Sequence, residues 1–348
     1  MPRTKLSKSK WRIAAGLSLF LIGSAGRALL GQSFDIPNKK WGLSFGNSAE
    51  FTGLRFNFRD SQVRHIRGVN ITLWQPRKDN KESVVDGLSF GLVPGGGTLR
   101  GVQIGLLGVG AEKSLSGINI GGLGVGSGGD VTGINIGGLG AGAGNDMIGI
   151  NIGGLGMGAG KNLRGINIGG LGAGAGEDII GVNIGGLGVG ASQNARGITI
   201  GGLGAGAGQD MIGLNIGGLG LGAGGRLAGI NIGGFGAGAG KRITGLTVCG
   251  FAAGSMEVVG VTIGGFAVGG EFLKGIHLAG GTVHVTKGGQ MVGFAASAFN
   301  YFRGSQNGLA IGIVNYAFHV KGVQIGLVNI VRDNPKNLRV LPIMNTSF

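Results

Sequence analysis

The stretch Gly149-Ile-Asn-Ile-Gly-Gly-Leu-Gly-Met-Gly-Ala-Gly-Lys-Asn-Leu-Arg164 is one copy of a unit that recurs every 16 residues. From Gly101 to Lys274 the copies follow the pattern G-h-N-h-G-G-L-G-x-G-A-G-x-x-h-x, where h is an apolar residue. The copies that keep this length without slippage begin at Gly117, Gly133, Gly149, Gly165, Gly181, Gly197, Gly213 and Gly229. A period this strict is typical of repeat proteins in which each unit packs on its neighbours.

Each unit predicts two short β-strands. Apolar residues alternate around Asn151 and again from Leu155 to Ala159, but the alternation changes phase at Gly153-Gly154, where glycine permits a bend. The pair Lys161-Asn162 is typical of a polar corner. Glycine costs roughly 1 kcal/mol per helical position relative to alanine, so helix is disfavoured. We predict an all-β fold, a single-chain β-solenoid of about 16-residue coils stacked by parallel pairing, with irregular capping coils at its ends.

The alternative architecture is a closed β-barrel with one long strand per unit. It is suggested by an alternation toward a C-terminal aromatic residue through Leu338, Val340, Pro342, Met344, Thr346 and Phe348. A membrane-spanning barrel, however, needs strands of about 9–11 residues with one apolar side facing lipid. The second strand of the unit is rich in glycine, and the alternation changes phase between the two strands, so the unit lacks a continuous apolar side. The solenoid is therefore favoured.

The isoleucines are expected to form the inside of each coil. Ile150 and Ile152 would point inward with Asn151 on the opposite face, and Leu163 would add a further inward apolar residue. On this assignment Ile152→Asp would destabilise the stack severely, whereas Asp146→Asn at the polar corner would change stability little.

Composition and charge argue against a nucleic-acid-binding repeat. Glycine supplies 85 of 348 residues, and the net charge is +15. Within residues 101–274, however, 8 basic side chains balance 8 acidic ones, and a repeat that binds nucleic acid would carry a basic stripe. The sequence predicts neither a nucleic-acid partner nor a transmembrane helix in the mature chain, and it leaves the oligomeric state open.

The chain divides into four predicted segments. Residues 1–28 have a basic start, the apolar stretch Ile13–Gly23 and small residues near Gly26, which is typical of a secretory signal peptide; an uncleaved anchor is the alternative. Residues 29–100 are predicted to be an N-terminal flank with capping coils, residues 101–274 the regular repeat, and residues 275–348 irregular coils with a C-terminal cap. We therefore expect an exported protein of the cell envelope, outer membrane or cell surface.

The candidate site is the column formed by the third position of the unit. Its members would stack coil over coil as a polar ladder joined by side-chain hydrogen bonds, or would present a regular polar array to a ligand or glycan. They are Asn119, Asn135, Asn151, Asn167, Asn183, Thr199, Asn215, Asn231, Thr247 and Thr262.

Other motifs favour structural interpretations. The G-x-G-x-x-G matches recur every coil without a helix, which is repeat geometry rather than a dinucleotide fingerprint. His277 and His284 flank a glycine pair and could meet across a bend, but two ligands are fewer than a metal site needs. Cys249, the only cysteine, reads as a small core residue. We predict no catalytic, cofactor or metal site, and no enzymatic activity.

The less regular copies carry a resemblance. Gly322-Val-Gln-Ile-Gly-Leu-Val-Asn, Gly308-Leu-Ala-Ile-Gly-Ile-Val-Asn and Gly101-Val-Gln-Ile-Gly-Leu-Leu resemble the units of a bacterial surface-repeat family with tandem G-h-Q-h-G-L-V-N motifs behind a signal peptide. The similarity covers roughly residues 53–348, and the central units depart from it by using Asn or Thr for Gln. It implies a cell-surface or envelope location and supplies no catalytic residues.

Three functions are consistent with these observations. The favoured one is a non-enzymatic envelope or surface repeat protein that acts as a scaffold or adhesive spacer, with envelope components or surface ligands as partners. The alternatives are an outer-membrane barrel or pore, and a polar array that binds a ligand or glycan.

Overall fold

The computed structural model describes residues 33–347, so the predicted signal segment, residues 1–28, lies outside the described part of the chain. The described residues are mostly β-strand, with one short 3-10 helix at Lys78–Asn80. In the regular repeat, consecutive coils pair in parallel at an offset of 16 residues, as Asn151 does with Asn135 and Asn167. The predicted β-solenoid is confirmed, and the alternative of a closed barrel is wrong.

The chain forms two compact units, divided between Asp130 and Val131. In the first unit β1 and β2 pair antiparallel, and the strands from β2 to β8 follow in parallel pairing. The strands are β1 (Ser33–Pro37), β2 (Trp41–Gly46), β3 (Glu50–Arg59), β4 (His65–Trp74), β5 (Val84–Gly91), β6 (Gly95–Gly105), β7 (Gly108–Gly121) and β8 (Gly124–Ser127).

The second unit contains a series of longer strands and a series of four-residue or three-residue strands that alternate along the chain. The longer strands are β9 (Asp130–Gly137), β11 (Met147–Gly153), β13 (Leu163–Gly169), β15 (Ile179–Gly185), β17 (Ala195–Gly201), β19 (Met211–Gly217), β21 (Arg226–Gly233), β23 (Arg242–Cys249) and β25 (Glu257–Gly264). The short strands are β10 (Gly140–Ala143), β12 (Gly156–Ala159), β14 (Gly172–Ala175), β16 (Gly188–Ala191), β18 (Gly204–Ala207), β20 (Gly220–Ala223), β22 (Gly236–Ala239) and β24 (Ala252–Gly254).

The last coils of the second unit have longer, continuous strands. β26 pairs in parallel with both β24 and β25, and β27, β28 and β29 continue the parallel stack. The final strand turns back and pairs antiparallel with β29, so Val340–Thr346 of the stretch suggested as a barrel strand lies against the solenoid instead. Phe348, the last residue of that stretch, lies outside the described residues. These strands are β26 (Ala267–Ala279), β27 (Thr282–Ala296), β28 (Phe299–Ile311), β29 (Val314–Val331) and β30 (Val340–Thr346).

The predicted inward face was wrong. Asn151 is fully buried, whereas Ile150 is 39% exposed and Ile152 is half-buried on the outer surface. Met147 lies four residues before Asn151 on the same continuous strand, so period-two alternation places both side chains inside and the isoleucines outside. The predicted inward position of Leu163 is confirmed, because this side chain is fully buried.

Glycine at the first position of the unit is required by the stacking. Gly149 has a φ of +125°, and a Cβ added there would lie 2.0 Å from the carbonyl oxygen of Gly133 on the preceding coil. Only glycine accepts that backbone angle without strain.

At the polar corner of each coil, side chains form a row of hydrogen bonds along the stack. Asp146 Oδ1 accepts hydrogen bonds from the backbone N (3.1 Å) and Nδ2 (2.9 Å) of Asn162, and Asp178 Oδ1 accepts the same two bonds from Asn194. Because amides alternate with carboxylates over these coils, adjacent coils avoid opposing two negative charges.

Candidate functional site

The ten predicted column residues all lie inside the solenoid. Each of them, from Asn119 to Thr262, is fully buried. Contact with an external ligand or glycan would therefore require the coil to open, and the structure places this column in the core rather than on a binding surface.

The column is linked by amide hydrogen bonds over part of its length. Nδ2 of Asn135 donates a hydrogen bond to Oδ1 of Asn151. Asn151 donates in the same way to Asn167, and Asn167 to Asn183, each at 2.8 Å. The series stops at Thr199, whose Oγ1 is buried without a hydrogen-bond partner in residues 33–347. It resumes after the threonine, where Asn215 donates to Asn231 at 2.8 Å and Asn231 donates to Thr247 at 3.2 Å.

In the first unit the same column contains residues that the sequence analysis missed. Arg55, Asn70, Ser89 and Gln103 are buried and occupy the third position of the looser copies that begin at Gly53, Gly68, Gly87 and Gly101. The Arg55 guanidinium donates from Nη1 to Asp60 Oδ1 at 2.6 Å and to Asn70 Oδ1 at 2.8 Å. The pattern G-h-x-h was the signal that could have found them.

His277 continues the column in the second unit and was also missed as a member. It pairs with Thr262 on the preceding strand and is fully buried, and neither ring nitrogen has a hydrogen-bond partner among the described residues. Burial lowers the pKa of its imidazole to about 4. His284, by contrast, points outward, and its ring lies against that of Tyr301 with centroids 5.5 Å apart, so the structure does not bring the two histidines together.

Cys249 is buried in the coil beneath β25, and burial raises the pKa of its thiol. Its Sγ lies 3.7 Å from the carbonyl oxygen of Ile263, within reach of a weak hydrogen bond. Over residues 33–347, histidine, cysteine and acidic side chains form no cluster of three or more that could hold a metal ion.

The outer surface of the longer strands from β9 to β26 is the most unusual feature of the second unit. We call it the isoleucine face and define it by the three outward columns that pass through Ile148, Ile150 and Ile152. The column through Ile150 contains only Ile, Val or Leu from Ile134 to Ile276, and the column through Ile152 does the same from Ile136 to Leu278. Exposed fractions along it reach 47% at Ile230.

Within the three columns that define this face, every charged side chain is basic; the carboxylates of the adjoining polar corner, such as Asp130 and Glu257, lie two residues earlier on the strands. The column through Ile148 mixes apolar residues and threonine with Arg164, Arg196 and Lys274, and none of the three columns contains an acidic residue. Ten strands about 4.8 Å apart, carrying two wholly apolar columns that are each about 6.6 Å wide, give an apolar area on the order of 600 Å². A continuous apolar patch larger than a few hundred Å² typically marks an interaction surface.

An apolar ridge borders the isoleucine face at the bend of each coil. It runs along Leu139, Leu155, Leu171, Leu187, Leu203 and Leu219, continues through Phe235, Phe251 and Phe266, and is 43–60% exposed. The three phenylalanine rings stack with centroids 4.9 and 5.2 Å apart. Beyond the ridge, the short strands turn glycine outward, and a shallow hollow of about 590 Å³ lies among Gly220, Gly222, Leu219 and Phe235.

The first unit contains a smaller cavity of about 200 Å³. Its lining includes Arg77, Lys78, Asn80, Lys81 and Glu112, and Lys81 Nζ lies 4.0 Å from Glu112 Oε2. These side chains form a charged surface at the corner between β4 and β5, and none of them is a nucleophile paired with a base.

Between residues 33 and 347 there is no helix with the length and apolar character needed to cross a membrane. Comparison of the chain with protein-family models, curated protein sequences and solved structures finds no match.

Proposed function

We propose that this protein is a non-enzymatic scaffold of the cell envelope and that it adheres through its isoleucine face. The observation that supports this proposal most directly is the placement of polar and apolar residues in the coil: the Asn151 column is fully buried, whereas side chains of the Ile150 column are exposed. A coil that served only as a spacer in water would gain stability by exchanging the two columns, since burying an isoleucine contributes about 1.5–3 kcal/mol. Outward isoleucine, valine and leucine side chains repeated over ten strands therefore favour a surface that is covered when the protein is in use.

The location is supported by the sequence. Residues 1–28 have the pattern of an export signal, and the less regular copies resemble a bacterial surface-repeat family. The strict period suits a scaffold because each added coil extends the same face by one row of side chains.

Cell fractionation of a tagged full-length chain tests the proposal. We expect the intact protein in the envelope fraction, loss of export when residues 1–28 are deleted, and release from the envelope when Ile150, Ile166 and Ile198 are replaced by threonine. The matched control replaces the outward glycines Gly158, Gly174 and Gly190 by threonine, on short strands in the same stretch of the repeat. Cytoplasmic retention of the intact chain, or equal envelope association of both triple variants, would contradict the proposal.

A further inference from the structure

The isoleucine face combines two properties that together identify its partner. Its apolar columns are continuous, and its only charges are the cations Arg164, Arg196 and Lys274 in the column beside them. All three side chains are exposed, and Arg164 and Arg196 lie two coils apart, or about 10 Å. An apolar surface with basic side chains at its margin has the composition of proteins that lie in a membrane interface.

We propose that the isoleucine face binds the surface of a lipid bilayer that contains anionic headgroups. This inference rests on the proposed function and names the partner of the same face. The isoleucine and valine side chains enter the boundary between headgroups and acyl chains, while the guanidinium and ammonium groups remain at the level of the phosphates.

The backbone of the face is suited to this environment. The longer strands pair with neighbours on both sides, as β13 does with β11 and β15, so their peptide groups enter the interface with hydrogen bonds already made. The polar amides of Asn151 and Asn167 face away from the surface and bond to each other inside the coil. On these strands the apolar Ile150 and Ile166 face outward where the amides face inward, which is the order found where the strands of a protein meet lipid.

A second copy of the chain is the competing occupant, and charge disfavours it. A two-fold interface places the same face on both sides, so Arg164, Arg196 and Lys274 of each copy would meet three columns that contain no acidic residue, while the carboxylates of the polar corner lie outside these columns and are already hydrogen-bonded along the stack. Burying cations without partners is unfavourable, whereas anionic headgroups supply a partner for each of them.

Vesicle binding by the full-length chain tests the inference. The probes are phosphatidylcholine vesicles with and without phosphatidylglycerol, and the variant is Ile150→Thr/Ile166→Thr/Ile198→Thr against the control Gly158→Thr/Gly174→Thr/Gly190→Thr. We expect the isoleucine variant to bind phosphatidylglycerol vesicles on the order of tenfold more weakly and the glycine control to bind like the natural chain. Arg164→Gln/Arg196→Gln should reduce the preference for phosphatidylglycerol and its salt dependence.

A fluorescent probe locates the contact independently of residues 1–28. In a Cys249→Ala background, an environment-sensitive dye on Ile198→Cys should shift to the blue with vesicles, and the same dye on Gly190→Cys should not. An unshifted dye at position 198, or equal shifts at both positions, would overturn the inference. A second copy of the chain would give a different pattern. The dye at position 198 would shift with rising protein concentration in the absence of vesicles, and light scattering would detect a dimer that the isoleucine variant does not form. This result would also overturn the lipid inference.

The two proposals fail separately. If the isoleucine variant leaves the envelope fraction in cells but the natural chain binds no vesicles, the lipid inference fails and the scaffold remains. If vesicles bind through position 198 but the intact chain stays in the cytoplasm, the proposed envelope function fails.

Discussion

Nδ2 of Asn151 donates a hydrogen bond of 2.8 Å to Oδ1 of Asn167, the residue at the same position of the next coil. Both side chains are fully buried, so the bond satisfies amide groups that would otherwise be costly in the core. With the same bond from Asn135 to Asn151 and from Asn167 to Asn183, it makes a continuous row in which the amides of Asn151 and Asn167 both donate and accept. The interior of the regular repeat is therefore held by a polar ladder as well as by apolar packing.

Completing this ladder should stabilise the protein. Thr199 interrupts it and leaves its own Oγ1 and the Oδ1 of Asn215 buried without hydrogen-bond partners in the described chain. Thr199→Asn would connect Asn183 to Asn215, and we expect a gain of about 1–2 kcal/mol in the free energy of unfolding, since each new buried hydrogen bond contributes about 1 kcal/mol. Thermal and urea unfolding measure it. Asn167→Thr is the matched reverse change and should destabilise; an equal response to both would contradict the ladder.

Because the asparagines are inside the coil and the isoleucines outside, we expect a charge to be costly at Asn151 rather than at the isoleucines. This prediction replaces the one made from sequence for Ile152→Asp. Asn151→Asp keeps the shape of the side chain but buries a carboxylate between two amides, and should cost about 3 kcal/mol or more. Ile150→Asp places its charge on the outer surface, where Ile150 is 39% exposed, and should cost about 1 kcal/mol in the absence of lipid. Urea unfolding compares the two variants. Greater destabilisation by Ile150→Asp would restore the assignment that the structure corrects.

The period and the bends were predictable from sequence because they depend on spacing alone. The 16-residue repeat and the glycine pair at Gly153-Gly154 determine a stack of two-stranded coils whichever face is inside. Hydrophobicity alone could not identify the inward face. An assignment from hydrophobicity assumes that apolar residues are buried, and in this coil the isoleucines are on the outer surface. Arg164 gave the better signal: it is two residues before Ile166, so a solvated arginine requires that isoleucine to face outward as well.

Glycines at two positions of one coil should respond oppositely to alanine. Gly149→Ala combines a φ of +125° with a Cβ 2.0 Å from the carbonyl oxygen of Gly133, and should cost about 3 kcal/mol or prevent folding. At Gly158 a Cβ would lie 3.6 Å from the carbonyl oxygen of Gly174, which is ordinary contact. Gly158→Ala should be neutral or stabilising by up to about 1 kcal/mol because it reduces the entropy of the unfolded chain. Circular dichroism and thermal unfolding distinguish them; a large loss at Gly158 would mean that this surface is already covered.

The buried imidazole of His277 should make stability depend on pH. Burial lowers its pKa from 6.5 to about 4 in the folded chain, so the unfolded chain binds more protons between these two values. The contribution of His277 is therefore fully present above pH 6.5 and is lost as the pH falls through 6.5 toward 4. A shift of this size corresponds to about 3 kcal/mol in the free energy of unfolding.

His277→Thr, which copies the neighbouring Thr262, removes the titrating group. Urea unfolding across this pH range should show a steeper loss for the natural chain than for the variant. Parallel pH profiles for the two proteins would show that His277 is already protonated, or solvated, in the folded state.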